Sequence, residues 1–210
     1  MAGKESSWKF AEDYVVERED IALARQQSVE IGVDPVSPAT GAQLAAIAAA
    51  TGAKRIIEIG TGVGVSGLWM FVGAPTAELT SIDSELDHHQ LAKAAFLAGG
   101  VPANRVRLIA GRALEVLPRM NESSYDIVLI DADPQNIIEY VEHALRMVRP
   151  GGSVLIPHAL WRGRVADPTQ RDDTVTELRT LLQEIAASDA VISALSPVGD
   201  GLLHLVKIAD

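Results

Sequence analysis

Short β-rich segments alternate with helical segments over most of this chain, and this alternation limits the possible folds more than any other feature. Strands are predicted at residues 55–59, 78–83, 106–110, 125–131 and 153–156. Strands that alternate with helices form parallel βαβ units with helices on both faces of the sheet. Two further strands, 191–197 and 202–208, are joined by a segment that contains Asp-Gly, which is typical of a hairpin. The sequence therefore predicts an α/β fold with seven strands, mostly parallel, ending in an antiparallel hairpin.

Helix starts are predicted where a capping side chain precedes a proline, as in Ser37-Pro38, Asp133-Pro134 and Asp167-Pro168. Gly99-Gly100 predicts a helix end. Ahead of the first strand, residues 11–27 have a helical and acidic pattern. We therefore expect an N-terminal helical cap over residues 1–32, followed by the main domain over residues 33–210.

Composition narrows the class of protein. The chain has 210 residues and no cysteine, which excludes disulfides, thiolate zinc sites and cysteine nucleophiles. A net charge of -10 argues against a nucleic-acid partner. Two uncharged runs, 35–53 and 59–77, contain prolines and glycines and do not resemble membrane spans. The charged N-terminus lacks the apolar segment of a signal peptide, so we expect a cytoplasmic protein without a membrane partner.

A glycine-rich turn follows the first strand, where residues 58–64 read Glu-Ile-Gly-Thr-Gly-Val-Gly. Glycines allow a ligand close to the backbone, and the helix that follows favours a negative group. The second strand ends at Asp83, where an acid commonly binds ribose hydroxyls. Residues 62–67 also match the G-x-G-x-x-G dinucleotide fingerprint, which leaves an NAD-dependent oxidoreductase as an alternative. That fingerprint should begin at the strand end, however, and the glycine at this position is Gly60.

The turn at 58–64 resembles motif I of the class I S-adenosylmethionine-dependent methyltransferases. Asp83 resembles the ribose-binding acid of that fold, and 111–113 lie where the family lines its adenine site. Residues 125–133 resemble the motif at its fourth strand, and Arg-Pro-Gly-Gly at 149–152 resembles the turn before its fifth strand. The resemblance implies a Rossmann-like seven-stranded methyltransferase sheet, with S-adenosylmethionine as the cofactor.

Within that superfamily, the chain is similar to the small O-methyltransferases of the catechol and caffeoyl-CoA type. The similarity is carried by residues 36–44, by Asp-Ala-Asp at 131–133 and by 159–165, and it covers residues 33–208. It implies a small hydroxylated acceptor and a homodimer. The positions that match the cofactor contacts of the family are Val36, Ser37, Glu58, Gly60, Thr61, Gly62, Gly64, Ser66, Asp83, Gly111, Arg112, Ala113 and Asp131.

The sequence departs from this family at the metal ligands. The relatives bind a divalent metal through the first Asp of Asp-Ala-Asp-Lys and an Asp-Asn pair after strand five, and the lysine deprotonates the acceptor. Here Asp131 is retained, but Pro134 replaces the lysine and Pro157-His158 replaces Asp-Asn. Magnesium and calcium prefer oxygen ligands, so we predict that the metal is absent or weakly bound. Zinc or manganese on Asp131 and His158 remains an alternative.

His158 and Asp131 are the candidate catalytic residues. An imidazole can accept a proton at neutral pH, so His158 is the candidate general base of a metal-independent O-methyltransferase. Arg162 and Arg164 could attract an acidic acceptor. The alternatives are a sensor or scaffold that binds S-adenosylmethionine without catalysis, and the NAD-dependent oxidoreductase.

Three further interpretations concern residues outside these motifs. His88 and His89 are interpreted as solvated side chains rather than as metal ligands. The acidic residues of the N-terminal helix, among them Glu12 and Glu17, are interpreted as a solvated face. Trp161 either lines the acceptor pocket or packs in the core.

Overall fold

The seven predicted strands are all present in the structure, a computed structural model that describes residues 3–208. Their bounds are β1 (Arg55–Ile59), β2 (Glu78–Asp83), β3 (Val106–Ala110), β4 (Tyr125–Ile130), β5 (Val148–Ile156), β6 (Val191–Ser196) and β7 (Leu202–Lys207). They form one sheet in the order β3-β2-β1-β4-β5-β7-β6. The first five strands of that order are parallel, and β7 is antiparallel to both β5 and β6. The predicted fold class is confirmed.

The helices cover both faces of the sheet. They are α1 (Lys4–Asp13), α2 (Glu19–Glu30), α3 (Pro38–Ala50), α4 (Val65–Gly73), α5 (Leu86–Ala98), α6 (Ala113–Val116), α7 (Ile137–Met147) and α8 (Asp173–Ala187). Helices α2 to α5 pack into the apolar core on one face, and α7 and α8 pack into a second core on the other. Within residues 3–208, no helix combines the length and the apolar character that crossing a bilayer requires.

Strands β1 and β4 lie at the centre of the sheet and bury their side chains on both faces, as parallel strands do when helices cover both sides. The hydrogen-bond ladder continues just past their ends. Gly60 N donates to Ile82 O and Asp131 N donates to Ile59 O, both at 2.8 Å. This register places Gly60, Asp131 and the end of β2 side by side at one edge of the sheet.

The predicted N-terminal helix over 11–27 is wrong in its bounds, because the structure divides this region into α1 and α2. The break contains two adjacent β-branched residues, Val15 and Val16, which disfavour a helix. It also turns Glu17 inward, where its carboxylate pairs with Arg25 at 2.7 Å and accepts a hydrogen bond from Trp69 Nε1 at 3.3 Å. Glu17 is therefore not part of a solvated face.

The helix start predicted at Asp167-Pro168 is also wrong. Asp167 accepts a hydrogen bond from Thr169 N within a turn, and α8 begins six residues later, capped by Asp172 through Val175 N. The intervening loop is fixed by Arg179, whose guanidinium donates to carbonyl oxygens of this loop. A local capping signal was outweighed here by a side chain from a distant turn of α8.

Candidate functional site

Three adjoining cavities open along the carboxyl ends of β1, β2 and β4, the edge where parallel α/β sheets bind ligands. The cofactor-side cavity, about 330 Å³, lies between the glycine turn, the end of β2 and residues 111–114. The acceptor-side cavity, about 210 Å³, lies between the end of β4 and residues 156–162. A small cavity of about 50 Å³ lies between Val36 and the glycine turn. Asp131 lines all three cavities, so it stands at the point where they meet.

The glycine turn has a backbone conformation that side chains would not tolerate. Gly60 has φ +91°, and a Cβ atom there would lie 1.9 Å from Asp131 O. Gly62 has φ +48° and lines two of the cavities. Asp83 holds the turn in place, because its Oδ2 accepts hydrogen bonds from Thr61 N and Gly62 N at 3.0 Å each. The turn is thus fixed with its backbone exposed to the cofactor-side cavity.

Asp83 is the electrostatic centre of the cofactor-side cavity. Burial opposes its ionisation, but the backbone N–H groups of Glu85 and Gly62 and the nearby His88 outweigh burial and lower the pKa of Asp83. His88 Nδ1 lies 3.1 Å from Asp83 Oδ2, and the His88 side chain is 20% exposed. His88 is therefore a partner of the predicted ribose-binding acid, and its interpretation as a solvated side chain is wrong.

Glu58 lies behind the cavity wall rather than in it. Its carboxylate is fully buried and accepts hydrogen bonds from Ser66 Oγ at 2.5 Å and from Ser81 Oγ at 2.6 Å. Burial raises the pKa of Glu58 to about 7, although the two serine hydroxyls oppose this change. Glu58 therefore connects β1 to α4 and β2, and it supports the glycine turn from below.

Replacing Glu58 by Gln is expected to reduce the pH dependence of stability. Between pH 4.5 and 7 the folded protein binds a proton at Glu58 more readily than the unfolded chain does, so the free energy of unfolding falls as pH rises. The shift corresponds to at most about 3 kcal/mol. Urea denaturation of wild type and E58Q at pH 5 and pH 7.5 measures the difference, and the wild type should lose more stability.

Glu78→Gln is the matched control, because it neutralises a glutamate at the exposed start of β2. This control should retain the pH dependence of the wild type. Equal pH dependence in E58Q and the wild type would show that the buried carboxyl does not titrate differently in the folded protein.

The other predicted cofactor residues differ in which cavity they line, and some of them line none. Arg25 Nη1 donates to Val36 O at 2.5 Å, which positions Val36 beside the glycine turn. Val36, Thr61 and Ser66 line the small cavity, whereas Gly111, Arg112 and Ala113 line the cofactor-side cavity. Three predicted contacts line none of the three cavities: Ser37, Glu58 and Gly64.

Two of these three have other contacts. Ser37 caps α3 by accepting from Thr40 N, and its hydroxyl donates to Glu12. Gly64 is the N-cap of α4 and has φ +88°, and a Cβ atom there would lie 3.2 Å from Phe96. Both residues shape the site from outside the cavities.

His158 and Asp131 face each other across the acceptor-side cavity. His158 Nε2 is buried without a hydrogen-bond partner and lies 3.8 Å from Asp131 Oδ1. His158 Nδ1 lies 3.5 Å from Asp200 Oδ2. Burial raises the pKa of Asp131 to about 6, with nearby Asp34 adding to the effect and His158 opposing it. The arrangement leaves Nε2 of His158 without a hydrogen-bond partner beside the Asp131 carboxylate.

The donor set of this cavity does not fit the divalent metal of the similar O-methyltransferases. Pro134 and Pro157 line the wall and offer no side-chain ligand. Among the described residues, no group of three or more His, Asp and Glu side chains is arranged to hold a metal ion. The two carboxylates nearest to His158 lie at opposite nitrogens of its ring, so they do not converge with it on one point.

The remaining wall of the acceptor-side cavity is largely apolar, and Trp161 belongs to it. The nearest arginines already have partners. Arg162 pairs with Asp34 at 3.0 Å, and Arg164 pairs with Asp172 at 2.6 Å. The interpretation that these arginines attract an acidic acceptor loses its support, because each is paired with a carboxylate.

Several residues of the site were not identified from the sequence. Asp34 and Asp200 line the acceptor-side cavity, while Asp133 and Tyr140 line the cofactor-side cavity. Tyr140 OH donates to Asp133 Oδ2 at 3.0 Å. Asp200 lies in the Asp-Gly segment that predicted the hairpin, but that signal indicates a turn and gives no information about its distance from His158.

The chain is similar to known proteins over nearly its whole length. The sequence model of a family described as O-methyltransferase matches residues 16–208. A Mycolicibacterium vanbaalenii protein named "Putative O-methyltransferase" is 44% identical over 198 residues, which cover 94% of this chain and 88% of that protein.

Two solved structures share the fold over nearly the full length of both chains. A Corynebacterium glutamicum protein superimposes with a TM-score of 0.90 at 28% identity, covering 99% of each chain. The O-methyltransferase TomG of Streptomyces achromogenes, solved in complex with S-adenosylmethionine and involved in tomaymycin synthesis, has a TM-score of 0.85 at 28% identity. That match covers 99% of this chain and all of TomG.

Proposed function

Since this chain belongs to the O-methyltransferase family, we propose that it methylates a hydroxyl group of a small acceptor without the divalent metal, with His158 as the base. The family membership establishes an S-adenosylmethionine-dependent O-methyltransferase, which replaces the NAD-dependent alternative. The observation that carries the proposal is the buried Nε2 of His158, which has no hydrogen-bond partner and faces Asp131 beside the glycine turn.

The glycine turn fits a nucleoside that lies against the backbone. Gly60 and Gly62 present no side chain to the cofactor-side cavity, and Asp83 lies at its edge with a carboxylate held in the charged form. The reactive group of S-adenosylmethionine is a methyl on a sulfonium, which accepts an oxygen nucleophile. Asp131, where the cofactor-side and acceptor-side cavities meet, provides a carboxylate beside that positive charge.

His158 takes over the removal of the acceptor proton, which the lysine performs in the similar O-methyltransferases and which Pro134 cannot perform here. A phenol with a pKa near ~10 is a poor nucleophile until its proton is removed. Nε2 of His158 takes that proton as the acceptor oxygen bonds to the methyl carbon, and the bond from carbon to sulfur breaks. The products are a methyl ether and S-adenosylhomocysteine, and the imidazolium returns its proton to water. Positioning of the two reactants lowers the activation barrier by up to ~7–11 kcal/mol in well-oriented systems.

The acceptor-side cavity indicates a small acceptor without negative charge. Its volume of about 210 Å³ exceeds the ~150 Å³ cavity that holds benzene in an engineered protein, so it suits one substituted aromatic ring. Asp34, Asp131 and Asp200 line this cavity, and its one arginine is paired. We therefore expect neutral or cationic phenols to be better acceptors than phenols that carry a carboxylate.

The division of the chain proposed from the sequence places the acceptor and cofactor sites in residues 33–210, with residues 1–32 as a cap. Residues 1–2 and 209–210 lie outside the described part. Glu12 of α1 supports a role for the cap, because its carboxylate accepts hydrogen bonds from Ala39 N and Gly199 N. Exposed aromatic side chains on α1, Trp8 and Phe10, support the homodimer that the family resemblance implies.

The proposal is tested by methyl-transfer assays on a panel of monocyclic phenols, with EDTA or with added Mg²⁺. We expect methyl ethers and S-adenosylhomocysteine at rates that differ by less than twofold between the two conditions, because the described residues around the acceptor-side cavity form no metal donor set. Neutral and cationic phenols should exceed their carboxylate analogues.

A loss of activity in EDTA that Mg²⁺ restores would overturn the metal-independent mechanism. Binding of S-adenosylhomocysteine in calorimetry, without turnover of any phenol in the panel, would instead favour the non-catalytic sensor or scaffold.

A further inference from the structure

The segment that carries His158 has an unfavourable backbone conformation. His158, Trp161 and Arg162 have φ angles of +58°, +48° and +56°, all in the left-handed region. Each such residue costs roughly 1–2 kcal/mol relative to a right-handed conformation. Strained residues of this kind persist only where the surrounding structure determines their conformation. The turn that carries His158 must therefore be held by its surroundings.

Asp200 and Gly201, in the connection between β6 and β7, hold most of it. Asp200 O accepts a hydrogen bond from Leu160 N at 2.9 Å, and Gly201 O accepts one from Ala159 N at 3.1 Å. Asp200 Oδ1 accepts a third from Arg162 N at 2.5 Å. Gly201 has φ +87°, and a Cβ atom there would lie 2.5 Å from Leu160 Cγ. The hairpin therefore lies directly against the strained turn.

The second oxygen of the Asp200 carboxylate faces His158. Asp200 Oδ2 lies 3.5 Å from Nδ1, while Asp131 Oδ1 lies 3.8 Å from Nε2. A neutral imidazole carries one proton, and each carboxylate favours it on the nitrogen that it faces. Asp200 is the nearer of the two and is anchored by Arg162 N, and distances of this kind shorten when the ligands of a site are bound.

We propose that Asp200 is a positioning residue that holds the proton of neutral His158 on Nδ1, so that Nε2 is the basic atom facing the acceptor. This inference rests on the proposed role of His158 as the base. Asp200 also lines the acceptor-side cavity, but in this role it acts on the reaction through the imidazole. This role also explains why the strained turn is bound to the hairpin, since the Asp200 carboxylate holds both the backbone at Arg162 and the ring of His158.

The test is Asp200→Asn, read by long-range ¹H–¹⁵N correlation spectra of the histidine rings. The Asn side-chain oxygen can still accept from Arg162 N, while its amide donates to Nδ1 and moves the ring proton to Nε2. We expect His158 to be the Nδ1–H form in the wild type and the Nε2–H form in D200N. With a phenol acceptor, kcat should fall roughly 10- to 100-fold, as loss of the correct tautomer lowers kcat strongly in serine proteases. The KM for S-adenosylmethionine should change less than twofold.

His158→Asn identifies the His158 signals among those of the five histidines. Asp189→Asn is the matched control, since it neutralises an exposed aspartate just before β6 and should alter neither the tautomer nor kcat. A wild-type ring in the Nε2–H form, or D200N with an unchanged tautomer, would overturn the positioning role. A changed tautomer with unchanged kcat would leave Asp200 as the residue that sets the tautomer, while His158 would no longer be the base.

Discussion

Replacing His158 by Asn is expected to lower kcat/KM for methyl transfer by about 100-fold or more, the size typical of a lost general base. Affinity for S-adenosylhomocysteine should stay within twofold, because His158 lines the acceptor-side cavity and not the cofactor-side cavity. The combination of a lost rate and retained cofactor affinity separates a role in proton transfer from a role in folding. Steady-state kinetics and calorimetry measure the two quantities.

Asn is the appropriate replacement because His158 has φ +58°. Asn adopts the left-handed region more readily than most residues, so it preserves the turn while it removes the base. His143→Asn on α7 is the matched control, since His143 lines none of the three cavities. A rate for H158N equal to that of the control would exclude His158 as the base and would point to Asp131 or to solvent as the proton acceptor.

Replacing Gly60 by Ala is expected to lower Tm by roughly 10 °C and to weaken S-adenosylhomocysteine binding more than 10-fold. The added methyl group would lie 1.9 Å from Asp131 O, which is backbone at the end of a central strand and has little room to move. Left-handed strain of roughly 1–2 kcal/mol adds to an overpacking cost of about 1–3 kcal/mol. For a chain of this length, each kcal/mol corresponds to ~2–4 °C in Tm.

Gly100→Ala is the control that separates the effect of left-handed backbone strain from the effect of a steric clash. Gly100 has φ +74° but no atom lies within 4 Å of its hypothetical Cβ, so this variant should lose only about 3 °C. Gly62→Ala is a milder change in the turn itself, because its Cβ would contact Val33 at 3.3 Å. G62A should fold, but it should bind S-adenosylhomocysteine less tightly than the wild type does. If G60A and G62A both bound S-adenosylhomocysteine as the wild type does, the turn would not be the cofactor site.

Local patterns were sufficient where the physical cause is local. Alternation of β-branched strands with capped helices predicted five strands, and the Asp-Gly segment predicted the hairpin of the last two. The start of α3 follows directly from the Ser37 cap and Pro38. The same reasoning failed at Asp167, because a capping residue competes with tertiary contacts such as those of Arg179. It failed for Glu17, because nothing in an amphipathic pattern reveals a partner such as Trp69, 52 residues away.

The order of strands and helices, the glycine turn and the replacement of the usual metal ligands can all be read from the sequence, because residue types and short spacings encode each of these. The position of Asp200 beside His158, and the binding of Asp83 to the glycine turn while it is paired with His88, follow only from the folded structure. Those contacts join residues on different elements, and their distances depend on how strands, hairpin and helices pack together. Such an arrangement of side chains is a property of packing, and no single segment of the chain contains it.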